Sequence, residues 1–199
     1  MTVAVVTPDQ FKTLPWKNGG GTTHEVMIEP PEATIESGFI WRLSIADVKQ
    51  DGPFSEFQGC DRTMVVLDGM GMILEFPMGR REQVEPLGVF RFPGEVPCQA
   101  RLIDGPVSDL NAMTLRLKAR HAARIIDVDV MPRAILATTL KAQSPVVAVL
   151  AIERAVKVRV EGRDHLVAPG AALITRGILA VQLVATAPTK VIFIEFAQR

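Results

Sequence analysis

The segment richest in binding chemistry spans residues 15–25 and reads Pro-Trp-Lys-Asn-Gly-Gly-Gly-Thr-Thr-His-Glu. Three consecutive glycines let the backbone adopt positive φ and approach another group closely, and the flanking side chains add hydrogen-bond donors. This combination suits a small anion or carboxylate, although a plain hairpin loop with a solvated lysine explains the same residues. The positions expected to contact an anion are Lys17, Asn18, Gly19, Gly20, Gly21 and Thr22. Neither nucleotide-binding glycine motif is complete, because no lysine follows the last glycine and position 24 is histidine.

A second polar group lies on the strand predicted at residues 39–46. Large apolar residues at the odd positions alternate there with a face that carries Arg42 and Ser44. A guanidinium and a hydroxyl group among small neighbours can line a cavity, whereas a dry core would leave them unpaired. A solvent-facing Arg-Ser pair is the alternative interpretation.

Metal and nucleophile chemistry have little support in this sequence. The histidines at positions 24, 121 and 165 are far apart, whereas a divalent ion requires three or four ligands held close together. We therefore expect no metal and no other cofactor. The chain has no tyrosine and no G-x-S-x-G elbow, and Cys60 and Cys98 lack C-x-x-C spacing. His24 is expected to be a buried or half-buried residue of its strand, and Cys60 a buried small residue.

The composition makes several partners poor candidates. Basic and acidic residues balance at 22 each, and hydrophobic residues make up 48% of the chain. Without a basic cluster, we expect neither a nucleic-acid partner nor a membrane partner. The N-terminus has no basic signal-peptide start, and the two cysteines are too few for a disulfide framework. A cytoplasmic location is therefore the expectation.

The elements that must position these residues are predicted to be almost all strands. After a strand at residues 3–6, the sequence Thr7-Pro8-Asp9-Gln10 predicts one or two helical turns that run to Leu14. The rest of the chain is a succession of short β-branched runs separated by glycine and proline turns. This pattern is typical of an all-β sandwich or barrel. A weak similarity between residues 61–92 and 146–184 indicates two related halves.

A series of motif blocks, taken together and in order, resembles the HutD/Ves family. The blocks are Pro15-Trp16-Lys17-Asn18-Gly19-Gly20-Gly21-Thr22, Phe39-x-Trp41-Arg42-x-Ser44-x-Ala46, Asp51-Gly52-Pro53-Phe54-Ser55, Asp61-Arg62, Gly69-x-Gly71 and Asp104-Gly105-Pro106-x-x-Asp109-Leu110-Asn111-x-Met113. The resemblance implies a bicupin, in which two cupin-type β-barrels (RmlC-like jelly rolls) form one compact unit over residues 1–199. The first barrel would span residues 1–118 and the second residues 119–199. His24 departs from the family, where arginine is more frequent.

The same resemblance implies a regulatory role in bacterial histidine utilisation, with binding of formylglutamate or a related small carboxylate. We therefore expect a non-enzymatic protein whose partner is a small anionic metabolite. The expected roles are charge neutralisation by Lys17 and Arg42, orientation by Asn18, Ser44 and Asn111, and support by Asp109 and Arg62. The alternative is a metal-independent hydrolase or isomerase acting on such an acid, with Glu25 as general base. The sequence leaves open whether the chain forms a homodimer.

Overall fold

The structure is a computed structural model and describes residues 2–16, 18–140, 142 and 145–199. It is 59% strand and 3% helix, with short 3-10 turns at Pro8–Gln10 and Pro77–Gly79. The strands are β1 (Thr2–Val6), β2 (Lys12–Pro15), β3 (Gly21–Glu29), β4 (Trp41–Val48), β5 (Gly52–Pro53), β6 (Cys60–Asp68), β7 (Met72–Glu75), β8 (Arg81–Val84), β9 (Val89–Pro93), β10 (Gln99–Leu102), β11 (Val107–Leu115), β12 (Ala119–Val128), β13 (Arg133–Leu136), β14 (Val146–Ala151), β15 (Val156–Val160), β16 (Arg163–Val167), β17 (Ala172–Arg176), β18 (Ala180–Ala185) and β19 (Thr189–Gln198).

These strands form two compact units. The motif unit, Lys12–Ala119, carries the motif blocks, and the terminal unit combines Met1–Phe11 with Arg120–Arg199. The motif unit has a six-stranded sheet in the order β2-β3-β4-β11-β6-β9 and a four-stranded sheet in the order β5-β10-β7-β8. Apolar side chains from both sheets, among them Met64, Leu74 and Phe92, share one buried core cluster. The two sheets therefore pack face to face around that core.

The terminal unit has the same two-sheet design. Its sheets have the orders β1-β17-β14-β19-β12 and β13-β18-β15-β16. The N-terminal strand β1 pairs antiparallel with β17, and its Val3 and Val5 pack against the core of this unit. The predicted division at residue 118 does not anticipate this pairing. The pairing with β1 gives β17 a hydrogen-bonded neighbour at a position where the sheet would otherwise end in an open edge.

Both units are antiparallel two-sheet jelly rolls, so the predicted all-β, cupin-type fold is confirmed. The helical segment predicted up to Leu14 is wrong in its extent, because the 3-10 turn ends at Gln10 and β2 begins at Lys12. Pairing of β2 with β3 supplies ladder hydrogen bonds that a short, uncovered helix could not match. Within the described residues, no helix has the length and apolar character needed to cross a membrane.

Candidate ligand-binding site

A cavity of about 590 Å³ lies in the motif unit, against one face of the six-stranded sheet. Its wall is mixed in character. The polar lining residues are Asn18, Thr23, Glu36, Arg42, Ser44, Ser55, Arg62, Asp109 and Asn111. The apolar lining residues are Leu14, Pro15, Trp16, Ile35, Ala46, Pro53, Phe54, Phe57 and Met113. A wall with several convergent polar groups on a largely apolar surface is typical of a small-molecule site.

Neighbouring strands of the sheet place the polar side chains together. Ser44 on β4 lies opposite Asn111 on β11, and Met113 on β11 lies opposite both Arg42 on β4 and Arg62 on β6. Alternate residues of a strand point to the same face, so these positions form one polar patch. The predicted alternation holds in β4 from Trp41 to Ala46, and its polar face meets the cavity, whereas residues 39 and 40 precede the strand, which continues to Val48.

Arg42 is almost fully buried and only partly satisfied. Its exposed fraction is 3%, and its Nε donates to Glu25 Oε2 at 2.7 Å. Its Nη2 is buried and has no hydrogen-bond partner in the described structure. Arginine keeps its charge when it is buried, so this free donor favours an oxygen acceptor from outside the chain. Glu25 does not line the cavity and is engaged with Arg42, which gives a general-base role no geometric support.

Arg62 is held in a cage of backbone, amide and aromatic groups. Its Nη1 donates to the Ser55 carbonyl oxygen at 3.1 Å, and its Nη2 donates to Asn111 Oδ1 at 2.8 Å. The guanidinium carbon lies 4.8 Å from the ring centroid of Phe92, and the rings of Phe54 and Phe57 also lie near it. Burial lowers the pKa of Arg62 to about 10, so the side chain is still charged at neutral pH. Its Nε has no hydrogen-bond partner among the described residues.

Asp109 lines the same cavity and has no solvent-exposed surface. Its Oδ1 accepts a hydrogen bond from Asn111 Nδ2, and its Oδ2 has no hydrogen-bond partner in the described parts of the chain. Burial raises the pKa of Asp109 to about 7; the Arg62 charge and the Asn111 hydrogen bond oppose this increase, while Asp47 adds to it. A carboxyl group in this environment exchanges its proton near neutrality, which is a common property of functional sites.

The glycine run serves the β2–β3 hairpin, and its three glycines lie outside the cavity wall. Gly19 has φ of 71°, and its N–H donates to the Trp16 carbonyl oxygen. The Gly20 N–H donates to Asn18 Oδ1 at 3.0 Å. A Cβ at Gly21 would lie 2.5 Å from the carbonyl oxygen of Asp47, so only glycine fits there. The N–H groups of Gly19 and Gly20 therefore already donate hydrogen bonds within the loop, and neither is free to donate to an anion.

The structure brings six of the predicted site residues to the cavity wall: Asn18, Arg42, Ser44, Arg62, Asp109 and Asn111. Thr22, like the three glycines, does not line it. Lys17 lies outside the described residues. Half-buried His24 also lies away from the cavity wall, where it hydrogen-bonds with Asp47 at 3.1 Å.

Sequence reasoning missed the aromatic part of the wall. Trp16 donates its indole N–H to Thr23 Oγ1 at 2.8 Å, and Phe54 and Phe57 complete the apolar side. Trp16 and Phe54 both fall within the motif blocks, and this position in the motif series is the sequence signal that could have identified them as wall residues. Ser55 contributes a backbone carbonyl, a group that residue type alone cannot assign to a site.

No group of three or more His, Cys, Asp or Glu residues in the described ranges is arranged to hold a metal ion. Cys60 and Cys98 are both buried and unpaired, as expected for Cys60. Burial raises the pKa of both thiols, that of Cys98 to about 11. Neither thiol therefore has the properties of an activated nucleophile.

Two jelly rolls define the chain as a cupin-type protein. The HutD family profile matches residues 8–193, and the chain belongs to the HutD family. It is 37% identical over 115 residues to a Pseudomonas putida protein described as an uncharacterized 21.2 kDa protein in the hutC 3' region. It is 36% identical over 113 residues to protein Ves of Cronobacter sakazakii. These alignments cover 58% and 56% of this chain and 58% and 60% of the two relatives, respectively.

Solved structures resemble the whole chain. A conserved protein of unknown function from Pseudomonas aeruginosa PAO1 has a TM-score of 0.87 and 26% identity, over 99% of this chain and 100% of that one. HutD from Pseudomonas fluorescens SBW25, solved in a formate condition, has a TM-score of 0.79 and 31% identity over all of both chains. YlbA from Escherichia coli has a TM-score of 0.71 over 99% of this chain and 91% of its own, but at 10% identity it shows the fold alone.

Proposed function

We propose that this HutD-family protein is a non-enzymatic, metal-independent, cytoplasmic binding protein. Its ligand is a small carboxylate such as formylglutamate, held in the cavity of the motif unit, and its role is regulation of histidine utilisation. The observation that carries the proposal is the pair of buried arginines, Arg42 and Arg62, in the wall of one cavity. Each has a nitrogen with no hydrogen-bond partner among the described residues.

The energetics of the two arginines favour an anionic ligand. A buried charge is costly unless it is paired and hydrogen-bonded, and Glu25 pairs with only one nitrogen of Arg42. A carboxylate has two oxygens that each accept charge-assisted hydrogen bonds. It can therefore pair with the arginine nitrogens that lack a partner and also balance their buried positive charge, which a neutral ligand cannot do. Ser44 and Asn111 lie beside these cations and can fix the orientation of the bound group.

Two comparisons support the ligand and the pathway without testing either. The structure of HutD from P. fluorescens was obtained in a formate condition, and formate is the smallest carboxylate. The P. putida relative is described by its place beside hutC, which supports a link to the hut genes. Glu25, the one base proposed for an enzymatic alternative, is committed to Arg42.

The test is ligand binding combined with product analysis in the same samples. Formate, formylglutamate, glutamate, urocanate and histidine are screened by thermal shift, with and without a chelator. A ligand at 100 times its dissociation constant stabilises the folded state by about 2.7 kcal/mol, which is measurable. We expect one carboxylate to shift the melting temperature, with no turnover and no effect of the chelator.

The matched variants are Arg42→Met in the cavity and Arg101→Met on the surface of the same unit, where Arg101 pairs with Glu75. Loss of a charge-assisted hydrogen bond of about 1.5–3 kcal/mol predicts at least about tenfold weaker binding in Arg42→Met. Arg101→Met should bind as the parent does. Equal affinity in both variants would contradict the assignment of the cavity, and turnover of any acid would contradict the non-enzymatic role.

A further inference from the structure

The carboxyl group of Asp109 is the one acid of the cavity wall that is fully buried and lacks an ion pair in the described structure. Arg62 is the cation that acts on this carboxyl group, and among the described residues the two are linked through Asn111, which donates to Asp109 Oδ1 and accepts from Arg62 Nη2. Asp109 Oδ2 has no hydrogen-bond partner among the residues described. One buried oxygen is thus available to hold a proton.

We propose that Asp109 takes up a proton when the anion binds, so that the site accepts a ligand carboxylate group and one proton together. This inference rests on the proposed function and deepens it, because it adds one proton to the binding reaction at the same site. The proton comes from solvent and forms an O–H bond on Asp109, and no bond between heavy atoms is made or broken. Asp109 is a binding residue here, and its protonation state sets the charge of the cavity.

A count of the charges around Asp109 supports this coupling. Among the described residues, the charged groups that line the cavity or act on the Asp109 carboxyl group are Arg62 on β6, Arg42 and Asp47 on β4, and Glu36, with Glu25 on β3 paired to Arg42. Glu25 pairs directly with Arg42, and an ionised Asp109 shares the charge of Arg62 through Asn111, so two carboxylates already balance the two guanidinium groups. An incoming carboxylate would place a third negative charge in this buried setting. Asp109 and the incoming carboxylate cannot both remain ionised there without a large cost, so one takes a proton.

The proton goes to Asp109 rather than to a simple carboxylate ligand because Asp109 is the weaker acid of the two in this site. Burial already raises the pKa of Asp109 to about 7 without an anion present, and a second negative charge raises it further. The protonated group gains an O–H donor at the oxygen that has no partner, and this donor can serve a ligand oxygen.

The test is isothermal titration of the protein with formate, in two buffers of different ionisation enthalpy, at about pH 5.5 and about pH 8.5. We expect close to one proton taken up per formate bound at the higher pH and almost none at the lower pH. Linkage of one proton also predicts that the affinity weakens up to about tenfold for each pH unit above the pKa of the free site.

The variant Asp109→Asn keeps the shape of the side chain and places an N–H donor where the protonated acid has its O–H. It should bind formate with the same affinity at both pH values and take up no proton. The matched control is Asp104→Asn, at an exposed turn residue with φ of 51° in the same unit, and it should behave like the parent. Binding of formate by the parent without proton uptake at either pH overturns this inference and leaves the proposed function intact. Absence of binding for every acid overturns both.

Discussion

The ionisation of Asp109 makes the stability of the folded protein depend on pH even without a ligand. The folded-state pKa of about 7 lies above the value of 3.8 for an ordinary aspartate. The native state therefore binds this proton more tightly than the unfolded chain does. Stability contributed by the proton is complete below the unfolded pKa and is lost as the pH rises from about 4 to about 7.

The magnitude follows from the pKa difference. At about 1.36 kcal/mol for each pH unit, the whole window corresponds to about 4 kcal/mol, and the part between about pH 5 and about pH 8 to about 2–3 kcal/mol. Asp109→Asn has an amide in place of this carboxyl group, so it cannot lose stability through its ionisation. We expect the variant to gain about 2–3 kcal/mol over the parent between the two pH values, whatever its absolute stability. This is a large share of the 5–15 kcal/mol that stabilises a typical domain.

The assay is urea unfolding of parent and variant in ligand-free buffer at about pH 5 and about pH 8, analysed as the double difference in unfolding free energy. The double difference removes any constant cost of the substitution. Parallel pH dependence in the two proteins would show that Asp109 ionises as an ordinary aspartate in the folded state. A parent that gained stability relative to the variant at higher pH would show that Arg62 holds the carboxylate as its ion-pair partner.

Two further predictions concern the loop and the thiols. Gly21→Ala should destabilise the motif unit by about 1–3 kcal/mol, because its Cβ would meet the carbonyl oxygen of Asp47 at 2.5 Å. The matched control is Gly52→Ala, whose Cβ would have no atom within 4 Å. It should change the unfolding free energy by less than about 0.5 kcal/mol. Equal effects in urea unfolding would refute the steric explanation. Cys60 and Cys98 should react with a thiol reagent at neutral pH only as fast as the protein opens, because both are buried and their pKa values are raised. Rapid labelling of the native protein would contradict this.

The sequence was sufficient for the fold class and for the strand face that carries Arg42 and Ser44. Strand periodicity is a local property, so the alternation in residues 39–46 is enough to place Arg42 and Ser44 on a common face. The same kind of local pattern left two interpretations of the glycine run open. Three glycines and polar neighbours look alike whether the amides bind an anion or close a hairpin, and only the positions of Trp16 and Asp47 decide between them.

By itself, the sequence determined the all-β character, the balance of charge, and the motif series that carries the family resemblance. The tertiary structure alone decided which charges meet. Glu25 and Arg42, 17 positions apart, form an ion pair because β3 and β4 are neighbours, and Asn111 reaches Arg62, 49 positions away, because β11 pairs with β6. The ionisation of Asp109 depends on burial and on charges brought from other strands. Neither the burial nor these charges can be deduced from the residues next to Asp109 in the sequence, because the electrostatic environment depends on distances in the folded structure.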